Sequence, residues 1–435
     1  MNFVFFVLLN AVMLIRPEEL FPGAGLRLYL ILISLCTMSS LPRLLEKFSS
    51  ESLRNRPVTV CVLLYFASTI VSDCMHGRVT EALFEEGPEF AKVVLYYFLI
   101  ISVVDTPGRF RTFVASLIVI IALLTAIALA KQFEIMEFPT IKPCKELYTD
   151  PNTGEEIIYT RMVSSGIFND PNDLCQALSL GILSCIYCAT TIPKGFTGCL
   201  PWLLPIPLFG YALLETHSRG GLLGVLAGLA CYTFSRYGGP KSIPYVVAGS
   251  VAVLASMGGR QGDFSAGGTS HGRLMFWADG LKELFAQPLY IPTGLGSGWF
   301  TDEMGIVAHN SFVQAYVEQG LVGGGAFLAA FYLSARIAYG LGQSIDAPSW
   351  AIQARHYVFA IVIAYAVGCF SLTRNIVVPT YLTLGIASIL LEAAAPTLPE
   401  RFCVNRKWFG WAILFGVCGL LFIKYTTQTL GLIGV

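Results

Sequence analysis

The sequence is poor in charge. Aspartate, glutamate, lysine and arginine make up only 13% of its 435 residues, whereas 55% are hydrophobic, and the apolar residues form runs along nearly the whole chain. A soluble globular domain carries about a quarter charged residues. The composition therefore excludes an ordinary soluble globule and predicts a polytopic membrane protein.

Long basic blocks are also missing, and the formal net charge is zero. Binding to a nucleic acid backbone needs clustered cations, so we expect no nucleic acid partner.

The first apolar run lacks the basic leader and the small-residue cleavage site of a signal peptide, and we interpret it as a retained span. The twelve cysteines fall mostly inside apolar runs, which indicates packing. A disulfide between Cys74 and Cys144 is the alternative.

About thirteen segments are apolar enough to be membrane helices. The predicted spans are 2–16, 25–42, 57–73, 89–105, 110–131, 174–192, 201–215, 219–236, 243–257, 310–340, 351–372, 376–395 and 408–425. Lysine and arginine collect in alternate short connections, which places those connections in the cytoplasm and the amino terminus inside. Two long loops, 132–173 and 258–308, then face outward. The sequence thus predicts an all-α, multi-pass fold in one integral-membrane domain, residues 1–435.

The larger outer loop contains a predicted amphipathic helix that starts at Arg273 and ends at Ala286. Its apolar residues recur at helical spacing: Leu274, Trp277, Leu281, Leu284 and Phe285. Such a helix either lies on the membrane surface or packs on other loop residues. Glycines in 258–268 and 294–298 flank it and favour a movable lid. Because the 294–298 run lacks the lysine of a phosphate loop, we interpret it as a flexible turn.

Two arginines are predicted at helix amino termini. Arg219 opens the eighth span, and Arg273 starts the loop helix. A cation there opposes the helix macrodipole, so each position favours an anionic ligand, as do the free backbone N–H groups. Two guanidinium groups could clamp a pyrophosphate because each binds phosphate oxygens bidentately. The alternatives are an Arg219 that reaches lipid headgroups or pairs with Glu215, and a solvated Arg273.

His309 directly precedes the tenth span. The positive end of that helix favours the neutral imidazole, which can accept a proton. A neutral base near two arginines suits the deprotonation of a hydroxyl nucleophile. The alternative is a histidine that only caps the helix or accepts a hydrogen bond.

Residues 169–173 have the pattern of a helix start. Asp170 is the predicted N-cap, Pro171 is the first helical residue, and Asp173 follows three residues after the cap. A metal held by Asp170 and Asp173 is the alternative, but no further ligand follows at a metal-binding spacing. We therefore predict no metal and no cofactor.

The order of these runs resembles the bacterial O-antigen ligase and O-antigen polymerase superfamily. The matching positions are Phe168–Asn172, Ser218–Gly221, Arg273, Trp277, Pro288, Gly294, Gly296, Gly298, His309, Asn310, Gln314 and Gly320. The match covers roughly residues 160–340, and the flanking spans agree only in being spans. Each motif is short, but their order and their placement in loops are specific together.

The resemblance implies a GT-C-like integral-membrane glycosyltransferase of the bacterial inner membrane. Such an enzyme transfers a glycan from undecaprenyl diphosphate to an acceptor hydroxyl of a lipid, sugar or protein on the outer face, without metal and with inversion. Carried over to this chain, Arg219 and Arg273 bind the diphosphate and His309 is the base. The supporting residues are His217, Asn172, Asn310, Trp277 and Gln314.

The acceptor stays open at this point. A polymerase of the same fold, which uses a second lipid-linked repeat unit as acceptor, fits the motifs equally well. The run 169–173 departs from the commoner glycine-asparagine-proline-asparagine form and is similar to variant ligases of exopolysaccharide or protein-sorting clusters, so lipopolysaccharide core is not implied. A flippase or transporter is disfavoured because Glu392, Lys92 and Arg355 lie near predicted span ends rather than at mid-membrane.

Overall fold

The computed structural model describes residues 1–20, 27–149, 156–192, 195–256, 269–343, 347–394 and 402–433. The elements before the first long loop are α1 (Asn2–Ile15), α2 (Pro17–Leu20), α3 (Leu28–Lys47), α4 (Ser50–Arg54), α5 (Pro57–Met75), α6 (Val79–Glu81), a π-helical turn (Ala82–Glu86), α7 (Gly87–Val103) and α8 (Pro107–Gln132). Two strands follow, β1 (Cys144–Thr149) and β2 (Glu156–Arg161).

The remaining elements are all helical. They are α9 (Pro171–Thr191), α10 (Phe196–Leu203), α11 (Pro205–Glu215), α12 (Arg219–Tyr237), α13 (Gly239–Ser256), α14 (Thr269–Ala286), α15 (Trp299–Met304), α16 (Ser311–Gly340), α17 (Ser349–Cys369), α18 (Val378–Ala393) and α19 (Arg406–Ile433).

Helices occupy all thirteen predicted spans. Among the described residues, eight helical segments are long and apolar enough to cross a membrane. The other five predicted spans correspond to α1, α7, α12, α13 and α18, which are shorter or less apolar. The chain is therefore a multi-pass, predominantly helical membrane protein. Its twelve cysteines are free thiols, Cys74 and Cys144 included.

The chain forms two compact units. Unit 1 comprises Met1–Leu44, Leu99–Phe264 and Ile352–Gly368, and unit 2 comprises Leu45–Phe98, Ser265–Ala351 and Cys369–Val435. Unit 1 thus holds α1, α2, most of α3, α8 to α13, both strands and most of α17. Unit 2 holds α4 to α6, most of α7, α14 to α16, α18 and α19.

Helix α9 forms the centre of unit 1, where it packs against α8, α10, α11 and α12. Its start matches the prediction: the Asp170 side chain accepts hydrogen bonds from the N–H groups of Asn172 (2.8 Å) and Asp173 (3.4 Å), and Pro171 is the first helical residue. This confirms Asp170 as the N-cap. Helices α9 and α12 pack closely at Gly221 of α12, because a Cβ added to this residue would lie 2.3 Å from the Cys175 side chain of α9.

A β-hairpin in unit 1 departs from the all-α prediction. Strands β1 and β2 pair antiparallel inside the predicted 132–173 loop, with Leu147 opposite Ile158. Strand β2 contains the run 157–160, in which every residue is β-branched or aromatic, and such residues favour strands. Directly after β2, the Met162 N–H donates to the Glu215 carbonyl at the end of α11 (3.0 Å). The hairpin is therefore attached to the helices rather than separate from them.

Helix α16 forms the centre of unit 2, where it packs against α5, α14, α18 and α19. The predicted loop helix is present as α14, and its apolar residues Leu281 and Leu284 are buried, at 2% and 0% exposure. They pack with Phe300 of α15 and Tyr316 of α16. The apolar face of α14 therefore packs on other parts of the protein, as the second of the two interpretations expected, and does not lie on the membrane surface.

A break interrupts α16 at Gly320, whose backbone has φ 66° and ψ −163°. The main-chain groups freed there bond to the segment 291–296 instead. Four hydrogen bonds join the two segments: Leu295 N–H to Val317 O (2.8 Å), Gly296 N–H to Glu318 O (3.1 Å), Leu321 N–H to Ile291 O (2.8 Å) and Val322 N–H to Pro292 O (3.2 Å). Backbone groups in an apolar interior must be paired, so the break depends on this segment.

Gly320→Ala is therefore expected to destabilise the protein by about 3 kcal/mol or more, because alanine disfavours positive φ and its Cβ would stand 2.4 Å from the Gly294 nitrogen. Gly77→Ala is the matched control: Gly77 also has positive φ (74°), but no described atom lies within 4 Å of an added Cβ. It should cost about 1 kcal/mol. Thermal unfolding in detergent measures both, and equal losses would contradict the proposed close approach.

The 294–298 segment is not the flexible turn that its glycines suggested. Ser297 is buried, and its N–H and hydroxyl groups donate to the Asp73 carboxylate at 2.7 and 2.9 Å. The Arg78 guanidinium donates to the Ser297 carbonyl (2.8 Å) and to Asp73 (3.0 Å). A buried carboxylate with these donors fixes the segment. The other predicted lid flank, 258–268, lies outside the described residues.

Candidate functional site

His309 lies at the amino end of α16, as predicted. The Asn310 side chain caps the helix by accepting hydrogen bonds from the N–H groups of Phe312 (3.0 Å) and Val313 (3.2 Å). His309 immediately precedes this cap, is half-buried, and has a left-handed backbone with φ 50°. Such a conformation is uncommon outside glycine and persists where the surroundings determine it.

Two side chains fix the residue before His309. The Trp277 indole N–H donates to the Ala308 carbonyl at 2.6 Å, and the Ala308 N–H donates to the Gln314 side-chain oxygen at 3.3 Å. Both main-chain groups of Ala308 are therefore held. Three of the predicted supporting residues, Trp277, Asn310 and Gln314, thus meet at one turn and set the direction in which the imidazole leaves the backbone.

A further contact reaches this turn from the connection between α17 and α18. The Ser311 hydroxyl donates to the Leu372 carbonyl (2.6 Å) and accepts from the Arg374 N–H (2.8 Å). This brings Arg374, a cation that the sequence motifs do not select, next to the start of α16. Its only sequence signal is that it is an arginine in a short connection otherwise poor in charge.

Arg273 is placed differently from the prediction. Helix α14 begins at Thr269, so Arg273 is its fifth residue and not its first. Because the macrodipole acts mainly in the first turn, it does not select an anion at Arg273. Arg273 is half-buried and lies one turn from Trp277 on the same side of α14.

Arg219 is the first residue of α12, which confirms its predicted position. The Ser218 hydroxyl caps the helix by accepting from the Gly221 N–H (3.1 Å). His217 precedes that cap with φ 49°. The two histidine-containing runs therefore share one local geometry, a left-handed histidine followed by a capping residue and a helix.

The two motif runs of unit 1 contact each other. The Ser218 hydroxyl donates to the Asn172 side-chain oxygen at 2.6 Å. The same oxygen accepts from Arg161 at the end of β2, at 3.1 Å. Sequence reasoning selected Asn172 but missed Arg161, because an arginine in a long loop carries no motif of its own.

The candidate residues divide between the units. Arg219, His217 and Asn172 belong to unit 1, whereas Arg273, Trp277, His309, Asn310 and Gln314 belong to unit 2. Asp170 serves as a helix cap, and across the described ranges no group of three or more histidine, cysteine, aspartate or glutamate side chains is arranged to hold a metal ion.

No protein-family model matches the chain, and no curated protein matches it. The candidate site is therefore defined by the contacts of its own residues. Two separate groups of contacts are present. In unit 1, Asn172 and Ser218 bond to each other beside Arg219. In unit 2, Trp277 and Gln314 bond to the main chain of Ala308, the residue before His309.

Proposed function

We propose that the protein is a glycan ligase of the bacterial inner membrane. It transfers a glycan from undecaprenyl diphosphate to an acceptor hydroxyl on the outer face. One observation carries the proposal: Trp277 of α14 donates to the Ala308 carbonyl, and with Gln314 and Asn310 at the start of α16 it fixes the turn that presents His309. A non-glycine residue with a left-handed backbone, next to a residue whose main chain is fixed by two side chains, is typical of a functional site.

In the proposed reaction, His309 accepts the proton of the acceptor hydroxyl. The hydroxyl oxygen forms a bond to the anomeric carbon while the bond from that carbon to the diphosphate oxygen breaks. The electron pair of the broken bond leaves with undecaprenyl diphosphate. Attack from the opposite side inverts the anomeric carbon. A general base of this kind contributes roughly 10²- to 10⁴-fold to the rate.

Arg219 and Arg273 bind the diphosphate in this proposal. Negative charge on the leaving group grows as the glycosidic bond breaks, and fixed guanidinium groups stabilise that charge. Arginine suits the role because it stays charged and binds phosphate oxygens with two parallel hydrogen bonds. The capped start of α12 at Arg219 adds backbone N–H groups that also favour an anion. The reaction uses neither a metal nor a cofactor.

Two alternative functions differ from this proposal in different ways. A polymerase uses the same residues and differs only in its acceptor, a second lipid-linked repeat unit. A transporter is favoured by Glu318, a buried acidic residue inside α16 two positions before the break at Gly320. However, Glu318 has a local structural partner, because its carboxylate accepts from the Phe300 N–H at 3.5 Å.

The experiment that tests the function supplies purified protein with a lipid-linked glycan and three acceptors: a lipid-linked repeat unit, a free glycan and a protein. Mass spectrometry identifies the product, and the acceptor that gains mass separates a ligase from a polymerase. We expect the same yield with and without EDTA, since no step uses a metal. Complete loss of product in EDTA would contradict the metal-free reaction and would reopen the alternative of a metal held by Asp170 and Asp173. Passage of intact donor across the membrane without a new product would support the transporter.

A further inference from the structure

Arg161 is a buried cation at the end of β2, with 8% of its surface exposed. Its guanidinium donates to acceptors in three different elements. It contacts the Glu146 carboxylate of β1 (3.1 Å), the Asn172 side chain in the first turn of α9 (3.1 Å) and the Thr216 carbonyl between α11 and α12 (2.9 Å). One side chain therefore joins the hairpin to both motif runs of unit 1.

This geometry specifically requires arginine. A buried charge is tolerated only when it is paired and its donors are satisfied, and the three acceptors around Arg161 meet that condition. The planar guanidinium sends donors in three directions at once, whereas a lysine ammonium is a point charge that cannot reach all three acceptors.

The contacts of Arg161 continue to the start of α12. Its donation to Asn172 fixes the oxygen that accepts the Ser218 hydroxyl at 2.6 Å. With its proton directed to Asn172, the Ser218 oxygen can accept from the Gly221 N–H at 3.1 Å. Arg219 and Gly220 lie between these two residues. The orientation of the Arg219 backbone thus depends on a chain of hydrogen bonds that begins at Arg161.

A second route from Arg161 reaches the same turn. Its Nε donates to the Thr216 carbonyl, and the Thr216 hydroxyl lies 2.9 Å from the Cys175 sulfur of α9. His217 follows Thr216 with a left-handed backbone, a conformation that needs fixed neighbours on both sides. Arg161 therefore holds the turn both before and after His217.

We propose that Arg161 is a positioning residue that sets the placement of Arg219 for binding the donor's diphosphate. It does not itself contact the substrate, because its donors are directed to Glu146, Asn172 and Thr216. This inference rests on the proposed function for its catalytic consequence. Its structural content, that Arg161 holds the turn 216–218, stands separately and is tested separately.

The structural test measures the alkylation rate of Cys175 in the full-length protein by maleimide, with peptide mapping to locate the label. Arg161→Gln should raise the rate at Cys175 roughly tenfold, because a shift of the Thr216 turn uncovers that thiol. Cys185 and Cys188, buried in the same helix, are internal references and should not change. Arg109→Gln is the control, since Arg109 also forms an ion pair in unit 1, with Asp105, and its other side-chain hydrogen bond goes to the Val103 carbonyl rather than to either motif run. An unchanged Cys175 rate in Arg161→Gln would overturn the proposal.

The functional test is a double-mutant cycle with Arg219→Lys. Alone, Arg161→Gln should lower kcat for transfer by roughly tenfold to a hundredfold, as expected for a displaced substrate-binding group. Arg161→Lys should lower kcat by nearly as much, because lysine cannot reach all three acceptors. In the Arg219→Lys background the same change should have little further effect, because both act through one contact. Multiplicative losses would mean general destabilisation and would overturn the positioning role. If the wild-type protein forms no product at all, the proposed function fails, whereas the Cys175 result still decides whether Arg161 holds the turn.

Discussion

Replacing His309 with alanine is expected to lower the rate of glycan transfer by about 10²- to 10⁴-fold, while donor binding changes little. The reason is that the acceptor hydroxyl loses the group that takes its proton, whereas the diphosphate contacts are left intact. Initial rates of product formation measure the first effect. Binding of radiolabelled undecaprenyl diphosphate to the purified variant measures the second.

The left-handed backbone at His309 requires a second variant, because alanine is less tolerant of positive φ. His309→Asn keeps that conformation accessible but supplies no base, so its loss of rate should match that of His309→Ala. His356→Ala is the histidine control, since its ring contacts the Ser235 hydroxyl in unit 1 and belongs to no motif. Transfer at a wild-type rate in His309→Asn would remove the base assignment.

Arg219→Lys and Arg273→Lys are each expected to lower the rate of transfer by about 10²-fold. Lysine keeps the positive charge but lacks the two parallel N–H donors with which a guanidinium group binds two phosphate oxygens. The loss should appear mainly in kcat, because the bound charge increases in the transition state. Rates measured across donor concentrations separate kcat from KM.

The matched control for these variants is Arg54→Lys, an exposed arginine at the end of α4 outside every motif. It should keep the wild-type rate. Full activity in both Arg219→Lys and Arg273→Lys would contradict bidentate binding of the diphosphate. A loss in Arg219→Lys alone would limit the diphosphate site to the start of α12, where the structure retains the helix-end position that Arg273 lacks.

Local signals in the sequence predicted several elements well. The start of α9 follows from Asp170 and Pro171, and the start of α12 follows from Ser218 before Arg219, because capping involves only neighbouring residues. The apolar spacing within 273–286 likewise predicted a helix. It could not tell what covers the apolar face, because Phe300 and Tyr316 reach that face only through the tertiary fold.

Features that depend on distant partners were missed. The run around Gly320 is apolar and glycine-rich, so composition predicts a continuous span, and only pairing with 291–296 reveals the break. The same pairing fixes glycines that indicated flexibility. The hairpin had a usable signal in the β-branched and aromatic residues 157–160 of β2, but those residues lay in a segment that hydropathy identifies only as a loop.

The candidate site shows the same division. His309 and Arg219 stand out because polar residues at the ends of apolar runs are visible in the sequence. Arg161 and Arg374 do not, because their importance comes from Asn172, Thr216 and Ser311, which folding brings to them. Backbone conformation is equally hidden, since no local pattern signals the left-handed residues before the caps of α12 and α16.

The most direct measurement of the central claim follows the donor lipid. Purified protein in lipid vesicles is given undecaprenyl diphosphate glycan and an acceptor, and both lipid and acceptor are analysed by mass spectrometry. We predict that free undecaprenyl diphosphate appears in the same molar amount as glycosylated acceptor, and that both form at least about 10²-fold more slowly with His309→Asn. Intact donor with unmodified acceptor, or free lipid accompanied only by hydrolysed glycan, would contradict the proposed transfer.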